Sequence, residues 1–328
     1  MPHRIVHMLR ARGAGRRPVM LAIAGDSAAG KTTLTRGLAQ CLGADRMTAV
    51  CVDDYHRHDR AERAGKPFTA LHPDGNYVDI MEQHLQLLSM GEPILKPVYD
   101  HSTGELVRPE LVEPRDFVIV EGLLPLHTRM ARACFDITVY LDPPEPLRHS
   151  WKVRRDCEKR GYTPEQVMAE LARREPESAA YIRPQRKHAD IVVRFAPVAG
   201  RLDPPGTPLS AELLLRPTID HPELADVLDG GAGDLSANQT ETALHLRLHR
   251  DTDGRPVDAL HVHGYVSPEE SQVVKKAIWE RLGPRAGASL PDPDALGRLG
   301  DTGTSDPLAI TQLLLLYHML DADHRQAA

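Results

Sequence analysis

The chain has 328 residues, 41% hydrophobic and 26% charged, and its 40 Lys plus Arg against 46 Asp plus Glu give a net charge of −6. That fits an ordinary globular protein of one large domain, or one domain with a substantial appendage, and it argues against a basic nucleic-acid-binding surface. An aromatic content of 4% argues against a base-stacking surface, and four scattered cysteines (Cys41, Cys51, Cys134, Cys157) without a CxxC pair fit a reduced, cytoplasmic chain.

Residues 1–17 carry five arginines and no acid. They lack the continuous apolar segment of a secretory signal and read as a basic leader running into the first strand. From residue 18 apolar strands alternate with helical stretches. The first strand is VMLAIAG (Val19–Gly25), followed by KTTLTRGLAQCL, whose Leu34, Leu38, Cys41 and Leu42 share one helical face. Further strands are read at Met47–Asp54, Asp116–Gly122, Ile137–Asp142 and Asp190–Phe195. Continuous apolar strands separated by helices predict an α/β fold, a mostly parallel sheet with helices on both faces; the glycine-rich GDSAAGKT between the first strand and the first helix makes it the P-loop NTPase type. Ligands of such sheets sit beyond the carboxyl ends of the strands. The core is expected over 18–198, with a very basic helical lid at about 150–188.

AGRLDPPGTP (Ala199–Pro208) reads as a linker. Residues 199–328 are then expected to add antiparallel strands and terminal helices packed on the core. Leu244, Leu246 and Leu248 alternate with His245, Arg247 and His249, and ALHVHGYV repeats the pattern, as in a hairpin with one wet face. His245, His249, His261 and His263 could share that face. With Arg247 among them and no acid or thiol at ligand spacing, a wet face is preferred to a zinc site. Helices are read at Pro268–Gly283 and Asp306–Leu320; LLLLYHML in the second is a buried helix or a subunit contact. No run approaches the about 18 apolar residues of a membrane span.

GDSAAGKT, residues Gly25, Asp26, Ser27, Ala28, Ala29, Gly30, Lys31 and Thr32, matches G-x-x-x-x-G-K-[ST] between a strand and a helix. Successive N–H groups of such a loop form an anion nest backed by the helix N-terminus. Lys31 would reach the β- and γ-phosphates of ATP, the Thr32 hydroxyl would hold Mg²⁺, and Thr33 continues the site. Asp53 and Asp54 follow the second strand and Glu121 ends the third, so all three point toward the crevice beside this loop. Glu121 sits where a Walker-B acid organises Mg²⁺. Asp53 or Asp54 could take the proton from an attacking hydroxyl, and spacing does not separate them. His56, Arg57, His58 and Arg60 extend the loop, and arginine here suits an acceptor that already carries a phosphate.

The P-loop, DDYHRHDR, KPVYDHSTGE (Lys96–Glu105), VEGLLP (Val120–Pro125), WKVRRDCEKRGYT (Trp151–Thr163) and YIRPQRKHADIVV (Tyr181–Val193) occur in the order seen in phosphoribulokinases. The ordered set resembles the plant and cyanobacterial class over roughly Leu21 to Val193, and the C-terminal region more loosely. The resemblance implies transfer of the ATP γ-phosphoryl group to O1 of ribulose 5-phosphate, as in carbon fixation. It implies Asp53 as base, His56 and Arg60 as contacts of the sugar phosphate, and Tyr99 beside them. Glu121 takes the Walker-B place, and Lys152, Arg155, Asp156 and Arg160 form the lid cluster. It also implies a homodimer. The alternatives are a uridine-kinase-type nucleoside kinase and a nucleotide-binding regulator that has lost catalysis. Two positions depart from the pattern. Leu124 stands where the family has His directly after EGL, with His127 further on. Ala29 replaces the regulatory P-loop cysteine of the plant-like class, so its disulfide with Cys51 cannot form, and Cys51 is expected to be a small core residue.

Overall fold

The computed structural model describes residues 16–198, 200–201, 207–224, 228, 243–283, 293–300 and 303–327. Most of the basic leader, the middle of the expected linker and parts of the 283–306 loop lie outside them. Eight strands form one sheet: β1 (Val19–Gly25), β2 (Met47–Cys51), β5 (Phe117–Gly122), β6 (Ile137–Leu141), β7 (Ile191–Ala196), β8 (Ser210–Leu215), β9 (Leu244–Arg250) and β10 (Pro256–Val262). Their order is β2-β5-β1-β6-β7-β8-β10-β9. The first five are parallel, and β8, β10 and β9 continue the same sheet antiparallel. β1 is buried along its whole length, as a strand covered on both faces must be.

The period-2 alternation of the strands divides the core. Val19, Leu21 and Ile23 face one layer, together with Ile119, Val139, Val193, Leu213 and Leu260. Helix α1 (Lys31–Leu42) covers that layer with Leu34, Leu38, Cys41 and Leu42, and two C-terminal helices join it. Met20, Val118 and Val120 face the opposite layer and meet Met81, Leu85 and Leu88 of helix α3 (Val78–Ser89).

The sequence reading of β2 runs three residues too far. The strand stops at Cys51, and Val52–Tyr55 forms a 3₁₀ turn. Gly122, with φ of 152°, lies so close that a Cβ there would sit 2.4 Å from Val52 Cγ2. Chain passing that tightly has no room to continue the ladder. Two further elements went unread. One is a separate hairpin of β3 (Ile94–Asp100) and β4 (Glu105–Val112), with Gly104 at φ 83° in its turn. The other is β8, which joins β7 to the C-terminal hairpin.

The lid region folds as helices α5 (Glu145–Arg160) and α6 (Pro164–Glu177), then a π turn and a 3₁₀ segment to His188. Thr163 caps α6 in a reciprocal capping box with Gln166. At the far side, Asp251 in the β9–β10 turn binds Arg216 Nε at 2.8 Å and Arg186 Nη1 at 2.6 Å, tying the hairpin to the chain leaving the lid. Helix α7 (Pro268–Leu282) matches its expected bounds to within a residue, and α8 (Asp306–Ala327) runs longer than expected. Every residue of α8 from Pro307 to Ala322 is buried, so LLLLYHML is a core helix, apolar nearly all round. Among the described residues no helix is long and apolar enough to cross a membrane.

Helix α8 also reaches the back of α1. The fully buried Gln312 donates Nε2 to the carbonyls of Thr33 and Leu34, at 3.3 and 3.1 Å, and accepts from Gly297 N at 2.7 Å. A Cβ on Gly37 would stand 2.1 Å from that amide, so glycine makes the notch that admits it. Replacing Gln312 by Ala would leave a cavity and an orphaned Gly297 N–H. The expected loss is about 2–4 kcal/mol in urea unfolding, with the m-value unchanged.

Candidate active site

The cleft lies at the carboxyl ends of β1, β5 and β2, where strand order reverses about β1. It has a volume of about 1400 Å³. The P-loop forms its floor. Ala28 at φ 64° and Gly30 at φ 99° take left-handed conformations that turn successive N–H groups to one side. Helix α1 has Gly30 at its N-cap, no capping side chain and no acid in its first turn. Thr33 N turns back to Gly30 O at 3.1 Å, and the N–H groups of Lys31 and Thr32 are left for an anion. Lys31 Nζ rests on the carbonyls of Gly25 and Asp26 at 2.8 and 2.9 Å.

Ser27, Ala28, Ala29, Gly30, Lys31, Thr32 and Thr33 line the cleft, whereas Gly25 and Asp26 do not. The Asp26 carboxylate accepts from Ser27 N at 2.7 Å and from the Ser178 hydroxyl, and it lies 3.6 Å from Arg148 Nη1. That side chain links the P-loop to both ends of the lid.

Glu121 stands at the end of β5, with Thr32 Oγ1 donating at 3.2 Å and Thr35 Oγ1 at 3.4 Å. Burial pushes its carboxyl up and the nearby Asp53 adds to the rise; Lys31 and the two hydroxyls only partly offset them. A buried carboxylate whose charge is disfavoured, paired with a P-loop hydroxyl, is a fit for a divalent cation.

The structure separates Asp53 from Asp54. Asp53 lines the cleft, and its Oδ1 accepts from Leu123 N at 2.9 Å. Its Oδ2 has no hydrogen bond among the described residues. Asp54 points the other way, taking Tyr99 N at 3.1 Å and an ion pair with the buried Lys96. Asp54 thus fastens the β3–β4 hairpin beside the cleft. Arg57 is also structural, donating to Asn76 O at 2.8 Å and stacking on Tyr77. His58 stacks near Phe68 and faces Glu62.

His56, Arg60 and Tyr99 line one wall together. His56 is buried, with Nδ1 2.7 Å from Asn76 Oδ1 and its ring edge-on to Tyr99. Arg60 Nη2 donates to His101 O at 2.8 Å. Two residues that motif reading did not single out share this wall. Arg63, of helix α2 (Arg60–Ala64), donates to the Tyr99 hydroxyl at 3.0 Å, and His101 sits in the β3–β4 turn. Burial, then the lid arginines, push His101 below the ordinary imidazole value, against the pull of Asp53. Leu124 is buried with Leu71, Leu123 and Ile182, and His127 does not line the cleft. A histidine therefore enters the cleft from the hairpin turn, a place the order of motifs did not reveal.

The lid closes the other side. Asp156 receives Lys152 Nζ at 2.5 Å and Arg155 Nε at 2.9 Å, and lies 3.4 Å from Arg160 Nη1. The i, i+4 spacing stacks Lys152, Asp156 and Arg160 on one helix face. Arg155 Nη2 also reaches Ser27 Oγ at 3.4 Å, so lid and P-loop touch. Burial first, then Arg174, push the Lys152 ammonium down to about 8. Cys51 lines the cleft rather than joining the core, contrary to its expected place. Burial and three nearby carboxylates push its thiol up, which keeps it protonated and weakly reactive. Elsewhere, His245 stacks on His261 across β9 and β10, with Glu212 3.7 Å beyond; among the described residues no group of three or more His, Cys, Asp or Glu could hold a metal.

A mostly parallel sheet, a nucleotide-type P-loop, acids at adjoining strand ends and a basic helical lid define a P-loop kinase fold. The family model for the phosphoribulokinase / uridine kinase family matches residues 20–200. The chain belongs to that family. It is 39% identical over 216 residues to the phosphoribulokinase of Synechocystis sp., covering 66% of this chain and 65% of that one. It is 34% identical over 196 residues to the chloroplastic phosphoribulokinase of Spinacia oleracea, covering 55% and 49%. A uridine kinase of Chloroflexus aurantiacus is 32% identical over 180 residues, covering 53% of this chain and 86% of that one. The match thus spans from half to just under two thirds of these phosphoribulokinases' own length. The solved phosphoribulokinase of Rhodobacter spheroides shares the fold, with a TM-score of 0.56 at 18% identity over 81% of this chain and 97% of that one.

Because Glu121 is raised above its unfolded value, its contribution to stability is present at low pH and is lost as pH rises through its folded pKa. Glu121→Gln should therefore raise the Tm of the unliganded protein at pH 7.5 relative to wild type, with the gap closing toward pH 4. Thermal scans at both pH values check this.

Proposed function

We propose that the protein is an ATP- and Mg²⁺-dependent phosphotransferase that moves the γ-phosphoryl group to a hydroxyl of a phosphorylated pentose, ribulose 5-phosphate at O1. The observation that carries this reading is the convergence of three parts on one cleft: an uncapped P-loop, the Asp53 carboxylate with one oxygen held by Leu123 N and the other without a hydrogen bond among the described residues, and a cationic lid. Thr32 and Glu121 are the residues that would hold Mg²⁺, which would supply charge neutralisation at the transferred phosphoryl group. Lys31 leaves its two carbonyls for the phosphates. Asp53 takes the proton from the attacking hydroxyl through Oδ2, while Leu123 N fixes its other oxygen. Arg155, Lys152 and Arg160 close over the transferred group, and Asp156 holds them in register.

His56, Arg60 and Tyr99 form the acceptor wall. Two guanidinium groups there, Arg60 and Arg63, support a phosphate on the acceptor, which a nucleoside lacks. Uridine kinase activity is the second reading, supported by the relative that shares this core. A cytoplasmic homodimer serving carbon fixation completes the proposal.

Coupled ADP-release assays with ribulose 5-phosphate, ribose 5-phosphate and uridine in parallel separate the readings. Turnover of ribulose 5-phosphate is expected; turnover of uridine alone overturns the pentose phosphate, and no turnover of any acceptor favours a regulator. Asp53→Asn should lower kcat by about 10²–10⁴-fold with ATP binding nearly intact, measured by calorimetry. Lys152 is charged below about 8 and loses its charge above it, so kcat/KM should fall on the alkaline side near that pH. Lys152→Arg should move that limb to higher pH in the pH–rate profile.

A further inference from the structure

The acceptor wall contains a histidine whose hydrogen-bonding sense is fixed from behind. Asn76 donates Nδ2 to Ala70 O at 3.1 Å and to His72 O at 2.8 Å. Both amide hydrogens are thereby used on carbonyl oxygens. The reverse orientation would press Oδ1 against those two carbonyls, so Oδ1 is the atom that faces His56. An amide oxygen only accepts, and Nδ1 of His56, at 2.7 Å, must therefore carry the hydrogen. Backbone pairing holds the two residues together: His56 and Asn76 form an isolated bridge, Arg57 N donates to Gly75 O and Tyr77 N donates to Tyr55 O.

The other ring nitrogen, Nε2, makes no hydrogen bond among the described residues, and His56 lines the cleft. The charge state of the ring follows from its surroundings. Burial lowers the pKa first, to about 4, helped by Arg63 of α2 and His101 of the hairpin turn. Asp53 in the 3₁₀ turn just before His56 and the Asn76 bond work the other way. Tyr99 of β3 meets the ring edge-on and is itself hydrogen-bonded to Arg63. At neutral pH the ring is uncharged with its hydrogen on Nδ1, and Nε2 carries a lone pair. A lone pair repels a phosphate oxyanion and accepts from a hydroxyl.

We propose that Asn76 is a positioning residue that locks His56 as the Nδ1–H tautomer, so that Nε2 accepts a hydrogen bond from a hydroxyl of the sugar chain while the acceptor's phosphate falls to Arg60 and Arg63. This rests on the pentose-phosphate reading above and reassigns one contact within it. Arg60 and Arg63 present only donors, and His56 presents only an acceptor. The wall thus distinguishes the two ends of its ligand by the direction of its hydrogen bonds.

Two measurements test this. The first needs no variant: ¹⁵N NMR of the histidine-labelled wild type at pH 7 should show His56 protonated on Nδ1, and Asn76→Ala should lose that preference. Protonation on Nε2 in the wild type overturns the proposal. The second compares kcat/KM for wild type and His56→Ala with ribulose 5-phosphate, its singly deoxygenated analogues and unphosphorylated ribulose. The variant should lose about tenfold with ribulose 5-phosphate. With one deoxy analogue it should lose less than about twofold, because the partner hydroxyl is already gone, and with ribulose it should keep the full loss. A loss unchanged with every deoxy analogue but abolished with ribulose assigns His56 to the phosphate and overturns the proposal. Failure of the wild type to turn over any pentose phosphate overturns the acceptor class and the hydroxyl contact with it, while the tautomer is decided by NMR alone.

Discussion

The first turn of α1 begins without a cap, and much of the structure answers to that. Four backbone donors at a helix end need partners, and most helices supply one from a neighbouring side chain. Here Gly30 has no side chain to offer, and its carbonyl takes only Thr33 N among the first three helical N–H groups, at 3.1 Å. The deficit is held open by its surroundings: α8 braces the far side of α1 through Gln312, and the carbonyls of Gly25 and Asp26 hold Lys31 in readiness. Asp26, the one acid of the loop, turns its carboxylate to Ser27 N, Ser178 and Arg148, away from the cleft. The anion site is thus kept free of internal anions.

The lid reverses that logic. Its cations are partly neutralised by one acid, Asp156, which three of them share. Burial alone would raise this carboxyl, but hydrogen bonds from Arg155 and Lys152 bring it below its ordinary value. A fully unpaired cluster of cations would splay into solvent, whereas a fully paired one would have no charge to offer. One carboxylate among three cations keeps them on one helix face with an excess of positive charge toward the P-loop. Screening by salt weakens such pairs where they are exposed, and Lys152 and Asp156 are not.

The parts legible in the sequence were those that short-range pattern encodes. The glycine spacing of the P-loop, the period-3.6 face of α1 and the apolar strands recur in the fold; β9 and β10 do pair as a hairpin, but the expected alternation fails on β9, the edge strand, where Leu248 is exposed. The β3–β4 hairpin escaped because it packs little on the core. Leu95, Leu106, Val107 and Leu111 are exposed, and Pro97 lies at an irregularity in its register, so neither clean alternation nor a continuous apolar run marks it. β8 was hidden beside a Pro/Gly-rich stretch. Within the site, sequence could not choose between Asp53 and Asp54, because the choice depends on Lys96, 42 residues away. Asn76 and His101 were missed for the same reason: their meaning lies in contacts across the fold, with His56 and with the lid, and not in their local pattern.

The notch between Gly37 and Gln312 bears on how the chain can be divided. The match to the family model ends at residue 200, yet the sheet it belongs to continues through three more strands, and the helix behind the P-loop is fitted to a side chain 279 positions later. Residues 20–200 are therefore a unit of recognisable ancestry without being a self-contained unit of packing. A chimaera joining this core to another relative's C-terminal region would have to carry over a matched pair, a missing Cβ on one side and an amide on the other. A side chain larger than hydrogen at residue 37 would have to be met by a smaller one at residue 312.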